Sequence, residues 1–106
     1  MIEMTQMKIN LAEDFSEFPA GRYKTDGPSS GEAFRDDLLV PALKTHDIVY
    51  VDLDGTLGLG SSFLEEAFGG LIRKSGFKKS EVEKKLKVSC SLESYSDEVW
   101  DYIRQA

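Results

Sequence analysis

At 106 residues, with 41% hydrophobic and 10% aromatic content, the chain is sized for one domain around one core. Its 13 basic and 19 acidic residues give a formal net charge of −6, which repels phosphate backbones and leaves no footprint for nucleic acid or an anionic membrane surface. A single cysteine, Cys90, and a single histidine, His46, exclude an internal disulfide, a thiolate metal cluster and a histidine-rich metal site.

The N-terminus shows no basic stretch followed by an apolar run, and no segment approaches about 18 consecutive apolar residues, so a soluble, cytoplasmic setting is expected. Met7, Ile9 and Leu11 alternate with Lys8 and Asn10, which predicts a half-buried opening strand. A turn-rich region follows over 18–32, punctuated by Pro19, Gly21, Gly27 and Pro28, with Arg22-Tyr23-Lys24 as a short second strand inside it. Ser29 and Glu32 stand at capping-box spacing. They open a helix that buries Phe34, Leu38, Leu39 and Leu43 and that Pro41 should end or kink.

The run "DIVYVDL" (47–53) is nearly all apolar and rich in β-branched residues, which predicts a central strand covered on both faces. After a glycine-rich turn at 55–60, Leu64, Ala67, Phe68, Leu71 and Ile72 form one helical stripe over about 61–75. Gly69-Gly70 inside it costs roughly 1 kcal/mol per glycine relative to alanine, which close approach of the helix to the sheet would offset. Ser80 and Glu83 cap a short third helix, and Val88, Cys90 and Leu92 share one face of a strand over 87–92. A last helix from about Ser96 to Arg104 buries Val99, Ile103 and Tyr102. Strand and helix alternate through short connections, so the expected architecture is a single α/β domain over 1–106 with a small, mainly parallel sheet.

Two stretches carry candidate chemistry. Asp52-Leu53-Asp54-Gly55-Thr56 resembles the opening motif of aspartyl phosphotransferases of the haloacid dehalogenase type. That resemblance implies Asp52 as nucleophile at a strand end, Asp54 as acid/base and a bridging magnesium ion. The other parts of such a site are missing from the pattern: a second acidic cluster, a phosphate-binding Ser or Thr after another strand, and a lysine to hold the charge. Lys74, Lys78 and Lys79 sit at a helix end, where the helix dipole accounts for them. In the alternative reading, Asp52 and Asp54 hydrogen-bond the turn and Gly55 supplies its unusual dihedral.

The second stretch is Ser61-Ser62, which opens an amphipathic helix after the strand "DLDGTLGLG". This arrangement resembles the STAS domain of anti-sigma-factor antagonists, with Asp52-Leu53 and Ser61-Ser62 in matching register. A closer resemblance is to uncharacterised bacterial STAS-like domains, carried by "FSEFPAGRYKTDGPSSGEAFRDDLLVPAL" and "SSFLEEAFGGLIRKSGF" over residues 15–77. It implies a STAS-type (βα) superhelical fold and no particular reaction. In the antagonists the first serine of the pair is the regulatory phosphoacceptor. Here Gly60 replaces the preceding aspartate and Phe63 the following glycine.

Phosphate at a helix N-terminus is favoured by free N–H groups and the dipole, whereas Glu65 and Glu66 in the first turn repel a dianion. Ser62 and Glu65 also have capping-box spacing, so Ser62 reads as a cap and Ser61 as the candidate switch.

The resemblance implies a non-catalytic regulatory domain that presents Gly58, Gly60, Ser61, Ser62, Phe63, Glu65 and Glu66 to a histidine-kinase-like ATPase or a serine kinase. No cofactor is called for. Arg22, Ser30, Glu32 and Arg35 read either as an anion or partner site beside that helix start, or as a structural set in which Arg22 and Arg35 pair with Glu32 or Asp36 and pin the long loop. Trp100 lies off the apolar stripe of the last helix, as a contact anchor or an edge-of-core residue. Cys90 reads as a packing residue, and His46 has no role.

Overall fold

The computed structural model describes residues 4–106. Three strands, β1 (Gln6–Asn10), β2 (Ile48–Asp52) and β3 (Leu86–Ser89), form an all-parallel sheet in the order β1-β2-β3. Met7 pairs with Val49 and Val49 with Leu86, so each strand steps to the next in the same direction. The connections carry the helices: α1 (Leu11–Asp14), α2 (31–45), α3 (61–73) and α4 (Lys79–Lys85), with α5 (Glu93–Gln105) following β3.

For two parallel crossovers stepping in the same direction, the right-handed rule expects both sets of helices on one face of the sheet. The burial pattern agrees. Ile9, Val49, Val51 and Leu86 are buried beneath the helices, while Lys8, Tyr50 and Lys87, paired across the three strands, are exposed on the opposite face. The expectation that β2 is covered on both faces is therefore corrected: it alternates, and Tyr50 stands 38% exposed.

The core is built where α2 and α3 lie on the sheet. Phe15, Phe34, Phe63 and Phe68 meet there with ring centroids 5.4–6.3 Å apart, surrounded by Leu39, Leu43, Leu53, Leu64 and Leu71. Val99 and Ile103 bring in α5, as the sequence predicts, and Tyr102 is half-buried. Gly31 decides how closely α2 meets α3, because a Cβ there would collide with the carbonyl oxygen of Phe63.

Other local expectations change. Arg22-Tyr23-Lys24 is not a strand; a 3₁₀ turn occupies Lys24–Asp26 instead. The cap of α2 is Ser30, whose hydroxyl accepts the Ala33 N–H at 3.1 Å, whereas the Ser29 hydroxyl contacts that of Ser16. The helix runs through Pro41 without ending, and a single π turn at Arg35–Leu39 opens the backbone ladder just before it. α4 starts one residue before Ser80, with the Glu81 carboxylate accepting the Lys78 N–H at 3.1 Å. β3 ends at Ser89, so Cys90 and Leu92 lie beyond it and Leu92 is 63% exposed.

Candidate functional site

Helices in a parallel α/β unit start above the C-terminal ends of the strands, which gathers the candidate loops at one end of the molecule. Among the helices that start there, the two long crossover helices, α2 and α3, differ at their starts. At α2 the N–H groups of Gly31 and Glu32 donate to the carbonyls of Gly21 and Arg22, both at 3.0 Å, and Ser30 takes that of Ala33. This N-terminus is closed.

At α3 the residue before the helix is Gly60, which has no side chain to offer, and Ser61 and Ser62 occupy its first turn, both exposed. Ser62 is therefore not the cap, and the Ser62–Glu65 capping box does not form. The Ser61 hydroxyl neighbours that of Tyr102, which donates to Glu98 at 2.8 Å.

Glu65 and Glu66 turn away from this end. Glu66, 1% exposed, accepts from Arg35 at 2.6 Å and lies 3.3 Å from Lys74, with Arg22 at 3.4 Å and Arg73 at 3.5 Å. Glu65 pairs with Arg22 at 2.5 Å and with Arg73. Burial alone would push the Glu66 carboxyl up, but the hydrogen bonds and charges of Arg35 and Lys74 hold it below its ordinary value.

Four cations thus surround two carboxylates, and the repulsion expected between these glutamates and a phosphate at Ser61 is neutralised. The same network bears on three expectations. Arg35 pairs with Asp36 at 3.1 Å, and Arg22 and Arg35 also reach across to α3, while Glu32 takes no arginine and accepts the Lys24 N–H at 2.8 Å. Gly69-Gly70 clears room for the Arg35 guanidinium and the Glu65–Arg73 pair rather than for the sheet. Lys74 is more than a helix-end charge, since its ammonium also stands 4.8 Å above the Tyr23 ring.

Phe63 and Glu66 are each 1% exposed, with Phe63 at the floor of the groove that Ser61 and Ser62 line, and Ser30 and Arg35 are buried and engaged within the fold. Gly58, Gly60, Ser61 and Ser62 are on the surface. They line a groove of about 670 Å³ together with Phe18, Pro19, Leu57 and Leu59. The structure thus brings 18–21 beside 57–63. A second groove of about 400 Å³ lies across Leu57, between Leu53–Leu59 and Cys90, Leu92 and Tyr95.

Phe18, Leu57 and Leu92 are all more than 60% exposed. Phe18 and Leu57 escaped the sequence reading as wall residues, although each is a large apolar side chain outside any helical or strand stripe, and Leu92 was read into a strand that ends before it.

The aspartates of "DLDGT" serve the turns. Asp52 accepts the Asp54 N–H at 2.9 Å and contacts the Asn10 amide at 3.4 Å. Asp54 accepts the Ser91 N–H at 2.8 Å and the Ser91 hydroxyl at 2.7 Å, tying the end of β2 to the loop after β3. These Ser91 donors hold the Asp54 carboxyl below its ordinary value. Among the described residues no three His, Cys, Asp or Glu side chains are placed to hold a metal ion, and no helix is long and apolar enough to cross a membrane.

No curated protein and no solved structure matches the chain. A family model described as a STAS-like domain of unknown function (DUF4325) matches residues 30–94, which span α2, the α3 start and the strand end that carries Asp52 and Asp54. With the parallel sheet, this match settles the resemblance read from the sequence: the chain belongs to the STAS-like family.

Proposed function

We propose that the protein is a non-catalytic regulatory domain that docks a protein partner at the C-terminal end of its sheet and is switched by phosphorylation of Ser61. The observation that carries this reading is the contrast between the two helix starts. α2 is closed by its own loop, while α3 opens on exposed Ser61 and Ser62 beside a groove walled by Phe18 and Leu57. A phosphate on Ser61 brings about two negative charges to that groove. There it must be desolvated against apolar walls when a partner docks, so modification weakens binding. By the resemblance to anti-sigma-factor antagonists, the partner is a histidine-kinase-like ATPase or a serine kinase, and the setting is the cytoplasm.

The test is phosphopeptide mapping of the protein from its native cells, paired with affinity capture by the wild type and by Ser61→Asp. Phosphate on Ser61, with a nucleotide-binding kinase-type protein retained by the wild type and released by Ser61→Asp, is the expected result. An unmodified Ser61 together with equal capture by both proteins overturns the proposal.

A further inference from the structure

The second groove has a character of its own. Its walls are apolar, formed by Leu53, Leu57, Leu59 and Leu92 with the ring of Tyr95, but the Asp54 carboxylate also lines it. The carboxylate is ionised, because the Ser91 donors favour its charged form. Among the described residues Asp54, like most carboxylates of this acidic chain, has no lysine or arginine within 4 Å, and it is the one carboxylate that lines this groove. Nor is its hydrogen-bonding capacity exhausted. Oδ1 takes the Ser91 N–H and lies 3.5 Å from the Cys90 thiol, while Oδ2 takes only the Ser91 hydroxyl. One acceptor position on Oδ2 is left.

A slot with aliphatic walls, one aromatic face and a single uncompensated carboxylate matches a side chain with an apolar stem and a cationic tip. The planar, weakly hydrated guanidinium suits it better than an ammonium, because it stacks on aromatic rings and donates in a fixed direction.

We propose that this groove receives an arginine side chain of the docking partner, with its stem between Leu57 and Leu92 and its guanidinium on Asp54. The inference rests on the docking reading above and gives that partner a required chemistry. Leu57, Gly58 and Leu59 line both grooves, so the arginine slot adjoins the groove that Ser61 lines, while Asp54, Leu92 and Tyr95 belong to the slot alone.

The test uses this protein alone, with Nα-acetyl-arginine amide as probe, Nα-acetyl-citrulline amide as its neutral isostere and Nα-acetyl-lysine amide as the alternative cation. Backbone amide shifts are followed by NMR. The expected result is a saturable response centred on Asp54, Ser91 and Leu92, with the citrulline compound weaker by about tenfold, as loss of a charge-assisted hydrogen bond predicts. Asp54→Asn, which keeps an acceptor for the Ser91 N–H, should abolish the preference for arginine over citrulline. Leu92→Ala, on an exposed wall, should weaken both probes alike without unfolding the domain.

Equal responses to arginine and citrulline, or no saturable response, overturn the proposal. An equal response to lysine overturns the assignment to arginine. Because no partner is present, failure here leaves the Ser61 docking reading intact, and that reading fails by its own mapping and capture experiment.

Discussion

Arg35 donates to Glu66 twice, to its backbone carbonyl at 2.8 Å and to its carboxylate at 2.6 Å, across 31 residues of sequence and inside the α2–α3 contact. Both residues are at most 2% exposed. Each begins or follows the start of a π turn, Arg35–Leu39 in α2 and Glu65–Gly69 in α3. The fragments "SGEAFR" and "EEAFGG", which carried the family resemblance, are thus two halves of one buried joint.

Removing one partner from a buried, hydrogen-bonded ion pair leaves a charge without compensation and costs about 3–5 kcal/mol. Arg22, Arg73 and Lys74 remain near Glu66, so Arg35→Met is expected at the lower end of that range, near 3 kcal/mol by urea denaturation. The double variant Arg35→Met/Glu66→Met should lose less than the sum of the two singles. Additive losses would show that the two side chains are not coupled.

The depressed Glu66 carboxyl makes a pH prediction. A group whose folded pKa lies below its unfolded value contributes stability above the unfolded value, and that contribution is lost as pH falls through the folded one. Stability should therefore hold near neutrality and decline below the ordinary carboxylate value of 4.5. Glu66→Gln should flatten that decline while lowering stability at pH 7. Thermal unfolding across the acid range reads both effects.

The two helix starts predict opposite responses to the same substitution. Ser30→Ala removes a buried cap and should cost about 1–2 kcal/mol. Ser62→Ala, on an exposed residue that caps nothing, should change stability by less than about 0.5 kcal/mol. A loss of similar size at Ser62 in denaturant titration would contradict the assignment of the helix start to Gly60.

Glycines should divide in the same manner. Gly31→Ala drives a Cβ into backbone that cannot yield cheaply and should cost about 2–3 kcal/mol, read as a lowered denaturation midpoint. Gly58→Ala meets nothing within 4 Å and should be neutral or slightly stabilising. Any loss of partner capture by Gly58→Ala would then report on the docking surface rather than on folding.

Much of the site could be located in the sequence but not oriented. Ser61-Ser62 at a helix start after a glycine-rich turn was visible as composition and period. The inward turn of Glu65 and Glu66 was not, because both lie off the apolar stripe, where helical periodicity alone places acids toward solvent. Their direction is fixed by cations 7 to 44 residues away, Arg73 and Lys74 at the end of the same helix and Arg22 and Arg35 before it. "DLDGT" likewise matched a catalytic motif over five residues. Its use as a turn depends on Ser91, 37 residues beyond Asp54.

What the sequence determined by itself was the alternation of β-branched runs with amphipathic stripes, and hence a mainly parallel α/β domain; its STAS-like type came from the resemblance carried by residues 15–77. Those signals are local and repeat with the period of the element that they form. Only the tertiary structure decided which face of β2 is covered, which serine caps a helix, and which of the charged residues are buried as partners and which remain free. Each of those depends on what another segment brings to within a few ångströms, and charged side chains are buried only where an opposite charge arrives with them.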